Sequence, residues 1–255
     1  MSAWKNYLAR SIDHLKHSSH QVLRASPEIP NGAVLPLVSL TTDDDIANFA
    51  LGCDADLGGR STVHLDLGPE HKGRFYGTLS NDLNPGRRKP GVVERGGYAG
   101  FRNKQRTTLF GTQTWDTSLH DFLRLRVRSS GDGMRYFVNI QTEGPVRSDL
   151  FQHRLWLPQP PSSSPDAPHE WTDVLIPLSD FTLTNSGDLS ATQLDMLRTE
   201  VRTVGISVLG PLEGRYELGV ERIDAVRLEG EEAARAREGR LEGLPVQRGA
   251  GGEKL

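Results

Sequence analysis

Alternation with a period of two runs through most of this chain and constrains its fold more than any other feature. Val63, Leu65 and Leu67 alternate with Thr62, His64 and Asp66, and Leu123, Leu125 and Val127 alternate with Arg124, Arg126 and Arg128. Met134, Tyr136, Val138 and Ile140 form a third such run. Successive side chains of a strand point to opposite faces, so each run describes a strand with one apolar and one polar face. The connection Ser129-Ser130-Gly131-Asp132-Gly133 predicts a hairpin between the second and third runs. Further strands are expected at Val34–Leu40, Phe75–Leu79, Leu150–Leu157, Val174–Leu178, Val201–Leu209 and Tyr216–Leu228, the last interrupted near Arg222. Within this stretch only Ala191–Thr199 reads as a helix, with Leu194 and Leu197 on one side. Many strands, 27 glycines and little helix predict an all-β, two-layer sandwich or jelly roll and not a βαβ sheet.

The two ends differ from this body, which gives an expected division into 1–32, 33–229 and 230–255. In the first zone Lys5, Arg10, Lys16 and Arg24 face only Asp13 and Glu28. Trp4, Leu8, Ile12 and Leu15 recur at helical spacing. A basic, serine-containing, acid-poor amphipathic start is the description of a mitochondrial targeting segment. An interfacial membrane helix reads the same way, with those four side chains in contact with lipid. A short helix packed on its own domain is the third reading. Pro27-Glu28-Ile29-Pro30-Asn31-Gly32 breaks the zone. At the far end, Glu229 to Arg240 reads as a charged helix with a Glu231–Arg235 pair, followed by a glycine-containing tail expected to be disordered. Pro158–His169, rich in proline and serine, and Gly86–Gly91, with Arg87, Arg88 and Lys89, are expected surface loops.

Composition narrows the function. Thirty basic against thirty-three acidic side chains give a net charge of −3, without the basic excess of a dedicated nucleic-acid binder. The single cysteine, Cys53, excludes an internal disulfide framework and a multi-cysteine zinc site, and fits a reducing compartment. No apolar run approaches the roughly 20 residues that span a bilayer. The phosphate loop, dinucleotide fingerprint, HExxH and GxSxG nucleophile elbow are all missing. Cys53 beside Asp54 and Asp56 lacks the cationic neighbours of a reactive thiolate. Asp43, Asp44, Asp45, Asp54 and Asp56 could ring a calcium ion, but capping and turn formation account for them. His14, His17 and His20 lack a fourth metal ligand nearby. The arginines at 124, 126 and 128 are read as a solvated strand face, with phosphate contact as the weaker reading. No cofactor, metal or catalytic residue is expected. Trp115, Trp156 and Trp171, with Tyr98 and Phe101, suit either core packing, a partner surface or sugar stacking. Trp156 is out of phase with Leu155 and Leu157, which points it outward.

One series of short motifs runs the length of the body. Asp56-Leu57-Gly58-Gly59-Arg60-Ser61 is followed by Phe75-Tyr76-Gly77-Thr78-Leu79 and Arg95-Gly96-Gly97-Tyr98-Ala99-Gly100-Phe101-Arg102. Leu125-Arg126-Val127-Arg128, Gly131-Asp132-Gly133 and Tyr136 come next, then Trp171, Val174, Ile176-Pro177-Leu178, Phe181, Val204-Gly205-Ile206 and Gly210-Pro211. In this order they resemble the complex I intermediate-associated protein 30 family over roughly residues 38–228. The chain departs from that pattern at Leu212-Glu213-Gly214-Arg215 and in the long proline-serine loop before Trp171. The resemblance implies a galactose-binding-like jelly roll used as a protein-interaction module. It further implies a non-enzymatic assembly factor, or chaperone, for mitochondrial respiratory complex I. The implied partners are complex I membrane-arm subunits and companion assembly factors, and the implied place is the matrix, peripheral to the inner membrane. Tyr98, Phe101, Arg102 and Trp156 are the candidate partner-binding surface. A carbohydrate-binding module using exposed aromatics is the alternative from a different class, and a hydrolase with unsigned carboxylates is a third.

Overall fold

The computed structural model of the protein describes residues 32–82, 96–109, 111–144, 146, 148–157, 170–185 and 187–238. Its first strands are β1 (Val34–Ser39), β2 (Phe49–Cys53), β3 (Thr62–Leu67), β4 (Gly73–Leu79), β5 (Tyr98–Asn103), β6 (Arg106–Thr108) and β7 (Gly111–Gln113). They are followed by β8 (Phe122–Ser129), β9 (Arg135–Thr142), β10 (Asp149–Leu155), β11 (Thr172–Pro177), β12 (Thr182–Asn185), β13 (Asp188–Leu189), β14 (Val201–Leu209) and β15 (Gly214–Val226). Among the described residues helix α1 (Asp43–Ala47) lies between β1 and β2, and helix α2 (Gly230–Glu238) follows β15.

The strands form two main sheets. One has six strands in the order β11-β8-β15-β4-β3, with β1 also on β15; the other has seven in the order β13-β12-β10-β9-β14-β5-β2. Each sheet buries one face, and the chain crosses repeatedly between them, as in a jelly roll. Phe75 of β4 is fully buried between Phe101 of β5 and Tyr216 of β15, with ring centroids 5.0 Å away on each side. Each such side chain contributes about 2 kcal/mol by leaving water. The expected break near Arg222 is a bulge in β15, between Val220 and Arg222.

The predicted hairpin of β8 with β9 does not form. β8 pairs with β11 and β15, whereas β9 pairs with β10 and β14 in the other sheet. The connection arches from one layer to the other, with Gly131 and Gly133 at φ 75° and 70°. Asp132 fixes the arch: its carboxylate accepts from the Tyr136 hydroxyl at 2.6 Å and from the Glu217 backbone N–H at 2.9 Å. One side chain thereby ties β9 of one sheet to β15 of the other. The alternation was right for both strands, but period two does not say which neighbour a strand takes.

The predicted helix over Ala191–Thr199 is also absent; only a 3-10 turn at Arg198–Glu200 forms. Leu194 and Leu197 are 62% and 45% exposed, so no apolar surface meets the face they would define. Gln193 instead bonds to the Leu183 backbone at both N–H and carbonyl, 2.8 and 3.0 Å away, and holds the segment extended beside β12. At the C-terminus α2 forms with the expected Glu231–Arg235 pair at 3.0 Å. Its Ala233 and Ala236 pack against Phe122, Leu175, Val226 and Leu228. Residues 1–31, 83–95, 158–169 and 239–255, which include the targeting-like segment, both expected loops and the tail, lie outside the described residues.

Candidate functional site

The two sheets present opposite chemistry to solvent. On the six-stranded sheet the arginine row is neutralised within the sheet: Arg124 pairs with Asp224 at 3.0 Å, Arg126 with Asp173 at 2.9 Å and Arg128 with Glu70 at 2.6 Å. Lys72 pairs with Glu221 at 2.8 Å and Arg74 with Asp66 at 3.0 Å. Trp171 lies over Gly219 on this face, and its indole N–H donates to Glu70 at 2.6 Å. A groove of about 540 Å³ opens at one end, lined by Thr62, His64, Tyr76, Thr78, Arg215 and Glu217 among others. Its aromatic wall is engaged from within. His64 stacks on Tyr76 at 5.1 Å, the Arg74 guanidinium lies 4.2 Å from the Tyr76 ring centroid, and the Tyr76 hydroxyl donates to Asp66.

The outer face of the seven-stranded sheet is different. Cross-strand register places Tyr98, Leu209 and Arg135 in one row over β5, β14 and β9. Gly100, Ser207, Phe137 and Arg154 form the next row, and Arg102, Gly205, Asn139 and Gln152 the one after. The small residues Gly100, Gly205 and Ser207 keep the strip between Arg102 and Phe137 low. Gly205 is required for another reason: a Cβ there would fall 2.1 Å from the Phe101 carbonyl oxygen of the adjacent strand. Beneath the exposed groups runs a ladder of side-chain hydrogen bonds. Thr184 donates to Gln152 at 2.9 Å, Gln152 to Asn139 at 2.8 Å and Asn139 to Ser207 at 2.9 Å, so four strands are stitched in one direction. Above it stand Tyr98, 42% exposed, and Trp156, 41% exposed, with the Arg154 guanidinium 3.5 Å from the Trp156 ring centroid.

The edge of this face is built by two glycine pairs. Asp54 is 2% exposed and accepts the backbone N–H and hydroxyl of Ser61 at 2.9 and 2.8 Å. It also accepts the Gly97 N–H at 2.6 Å and the Tyr98 N–H at 3.3 Å. Gly97 sits at φ 87°, and Gly59 packs so closely on the Asp54 carboxyl that no Cβ fits. The Gly58-Gly59 and Gly96-Gly97 motifs therefore converge on one buried carboxylate that sets where β5, and with it Tyr98, begins.

Of the candidate surface residues, Tyr98, Arg102 and Trp156 share this outer face. Phe101 does not: it is 3% exposed, points into the sandwich and meets Phe49 edge-on at 5.7 Å. Strand parity separates it from Tyr98 and Arg102 and joins it to Ala99 and Asn103, so it belongs to the core. Arg135, Asn139, Gln152 and Arg154 were missed by the sequence reading, although their polar positions between Met134, Tyr136, Val138 and Ile140, or between Phe151 and Leu155, carry the signal. Trp4, Leu8, Ile12 and Leu15 lie outside the described residues, as do His14, His17 and His20. Asp45 is a helix cap, accepting the N–H groups of Thr41 and Thr42, and Asp54 is occupied as above. Among the described residues no cluster of three or more metal-ligating side chains forms. Burial pushes the Cys53 thiol pKa up, and its sulfur donates to the Ser61 carbonyl. Among the described residues no helix is long and apolar enough to cross a membrane.

Fold and surface together define a jelly-roll β-sandwich with one ion-paired face and one face bearing exposed aromatics and arginines. Comparison with known proteins narrows this class. The family model described as complex I intermediate-associated protein 30 matches residues 38–220. A relative in Neurospora crassa named complex I intermediate-associated protein 30, mitochondrial, is 35% identical over 246 residues, covering 86% of this chain and 83% of that protein. The Drosophila melanogaster protein of the same name is 31% identical, covering 73% of this chain and 60% of that protein. For the Mus musculus protein the values are 24%, 70% and 52%, so the chain spans 60% and 52% of the length of these two animal relatives. The chain belongs to the complex I intermediate-associated protein 30 family. Among solved structures it is similar to a family 11 carbohydrate-binding module from Clostridium thermocellum in complex with a β-1,3-1,4-mixed-linked tetrasaccharide. The TM-score is 0.47 at 15% identity, covering 79% of this chain and 100% of that one. An exo-β-agarase matches at TM-score 0.42 and 12% identity, over 77% of this chain and 25% of that one.

Proposed function

We propose that this protein acts in the assembly of mitochondrial respiratory complex I as a non-catalytic binding factor. It holds membrane-arm assembly intermediates and companion assembly factors against the outer face of its seven-stranded sheet. Family membership supports the pathway, and one observation supports the face: Tyr98 and Trp156 stay two-fifths exposed on a sheet whose opposite number is closed by ion pairs. Exposed aromatics around partly buried apolar side chains are the composition of protein interfaces. Leu209, outward between Tyr98 and Arg135 and half-buried, is such a side chain. The place of action is the matrix side of the inner membrane, with Trp4, Leu8, Ile12 and Leu15 adding weak peripheral attachment to lipid.

The carbohydrate reading asks for a free indole face and free amides. Here the Trp156 ring carries the Arg154 guanidinium, and the Asn139 and Gln152 amides bond to each other. Tagged protein recovered from gently solubilised mitochondria tests the assembly reading. Complex I subunits and assembly proteins are expected in the eluate, reduced about tenfold by Y98A/W156A, which corresponds to roughly 1.4 kcal/mol. An eluate without respiratory-chain components contradicts it.

A further inference from the structure

The two outer faces differ in how they treat arginine. On the six-stranded sheet Arg74, Arg124, Arg126, Arg128 and Arg222 each meet a carboxylate, and among its described outward arginines Arg215, at the groove, stands without one. On the seven-stranded sheet three arginines, Arg102, Arg135 and Arg154, stand at outward positions, while no outward strand position carries Asp or Glu. Among the described residues neither Arg102 nor Arg135 has an ion-pair partner; Arg202, at the bulge of β14, pairs with Glu143 at 3.4 Å, and the Arg154 guanidinium lies against the Trp156 ring. The chain as a whole is acidic by three charges, so this concentration runs against its overall sign.

The arrangement is also spatially matched to an extended chain. Tyr98 and Arg135 lie two strand spacings apart in one row, about 10 Å. The strip along β14 between β5 and β9 is kept low by Gly205 and Ser207, with Arg102 on one bank and Arg135 near the other. The ladder beneath is internally satisfied, so it supplies a rigid floor and few unmet hydrogen bonds of its own. Specific attraction must come from the guanidinium groups, each able to take a carboxylate in a bidentate grip, and from the aromatics.

We infer that the outer face of the seven-stranded sheet recognises an acidic, extended polypeptide segment, its carboxylates gripped by Arg102 and Arg135 between Tyr98 and Trp156. The inference rests on the assembly reading above and specifies the partner's chemistry. Arg154 orients Trp156 at the rim of the same trough.

Full-length tagged protein expressed in mitochondria lacking the endogenous copy provides the test, comparing wild type, R102K/R135K and R102E/R135E. All three should melt at the same temperature, because both side chains face solvent. Complex I subunits and assembly proteins should be recovered with wild type and, reduced by about threefold to fivefold, with the lysine variant, which keeps the charge and loses the guanidinium fork; the reversed variant should lose at least about tenfold. A zero-length carbodiimide should then join the amines introduced at positions 102 and 135 to Asp or Glu side chains of a recovered protein. Equal recovery with the charge-reversed variant would overturn this inference and leave the assembly reading standing. No complex I protein recovered with wild type would overturn both. Binding of wild type to phosphatidylglycerol-containing vesicles that the reversal abolishes, with protein recovery unchanged, would make the occupant a membrane and also overturn it.

Discussion

The Asp54 carboxylate accepts the backbone N–H of Gly97 at 2.6 Å across 43 positions of sequence, and this bond joins the 3-10 turn after β2 to the start of β5. The same carboxylate holds Ser61 at the entry to β3. A charged group buried among four donors is a joint, and removing it strands those donors away from water. Asp54→Ala should therefore cost about 3 kcal/mol, read as a lower urea midpoint at unchanged slope. Asp54→Asn should cost less, since one amide oxygen still accepts. A midpoint unmoved by the alanine change would show that the joint is redundant.

On the six-stranded sheet two ion pairs of similar length should differ in worth. Asp224, whose side chain is 5% exposed, serves both Arg124 and Arg222, at 3.0 and 3.4 Å. Asp224→Ala should cost about 3 kcal/mol, because two guanidinium groups then lose their shared counter-charge in a desolvated place. Glu70 is 48% exposed, so Glu70→Gln should cost much less than Asp224→Ala despite the 2.6 Å bond to Arg128. Chemical denaturation of the two variants side by side measures the ratio.

Trp171 provides a local reporter. Its ring lies over Gly219, where a Cβ would approach Cη2 to 2.9 Å, and Lys72 and Arg128 flank it. Gly219→Ala should displace the indole from Glu70 and alter tryptophan emission. The stability loss should be about 1–2 kcal/mol, because the nearest atom is the far end of the indole while the Arg128 Cβ, at 3.1 Å, must also give way. In a Trp171→Phe background, adding Gly219→Ala should leave the emission of the remaining tryptophans unchanged.

Stability should fall as the pH drops through about 6.5, because of the buried histidines. His153 is 3% exposed in the core beside Phe181, with neither ring nitrogen bonded, and burial holds its pKa below the ordinary 6.5. Burial lowers His120 in the same direction. Because the folded state keeps the imidazole neutral, the unfolded chain binds the extra proton as pH drops through 6.5, and stability is lost until the folded pKa is reached. Each unit of separation is worth about 1.4 kcal/mol. The carboxylates held low by partners, Asp45, Asp66 and Glu221, act separately, below about pH 4.5. His153→Leu should lessen the fall of the urea midpoint below about pH 6.5, His120 accounting for what remains; an unchanged slope would assign the effect elsewhere.

The legibility of the chain followed its physics. The inward sets of β8 and β9 were readable because burial imposes period two, but the layer each strand joins was not, since the arch around Asp132 depends on Glu217, 85 residues away. β5 was hidden by Gly100, which breaks the alternation of Tyr98–Asn103 as a composition signal while leaving its parity intact. That parity is what removes Phe101 from the surface and leaves Tyr98 and Arg102 there. The Ala191–Thr199 spacing suited a helix, yet propensity without an apolar partner did not prevail over the Gln193 bonds to β12. Tyr98, Arg102 and Trp156 were nameable one by one. That they share a face with Arg135 and Arg154 required the register of β5, β14, β9 and β10.

The most direct measurement places a photoreactive benzoylphenylalanine at position 98 of the full-length protein, and, for comparison, at position 222 on the opposite sheet, in intact mitochondria. The account predicts covalent adducts with complex I subunits or their assembly proteins from position 98 and none of comparable yield from position 222. Adducts of that kind from position 222 alone, or from neither, would contradict it.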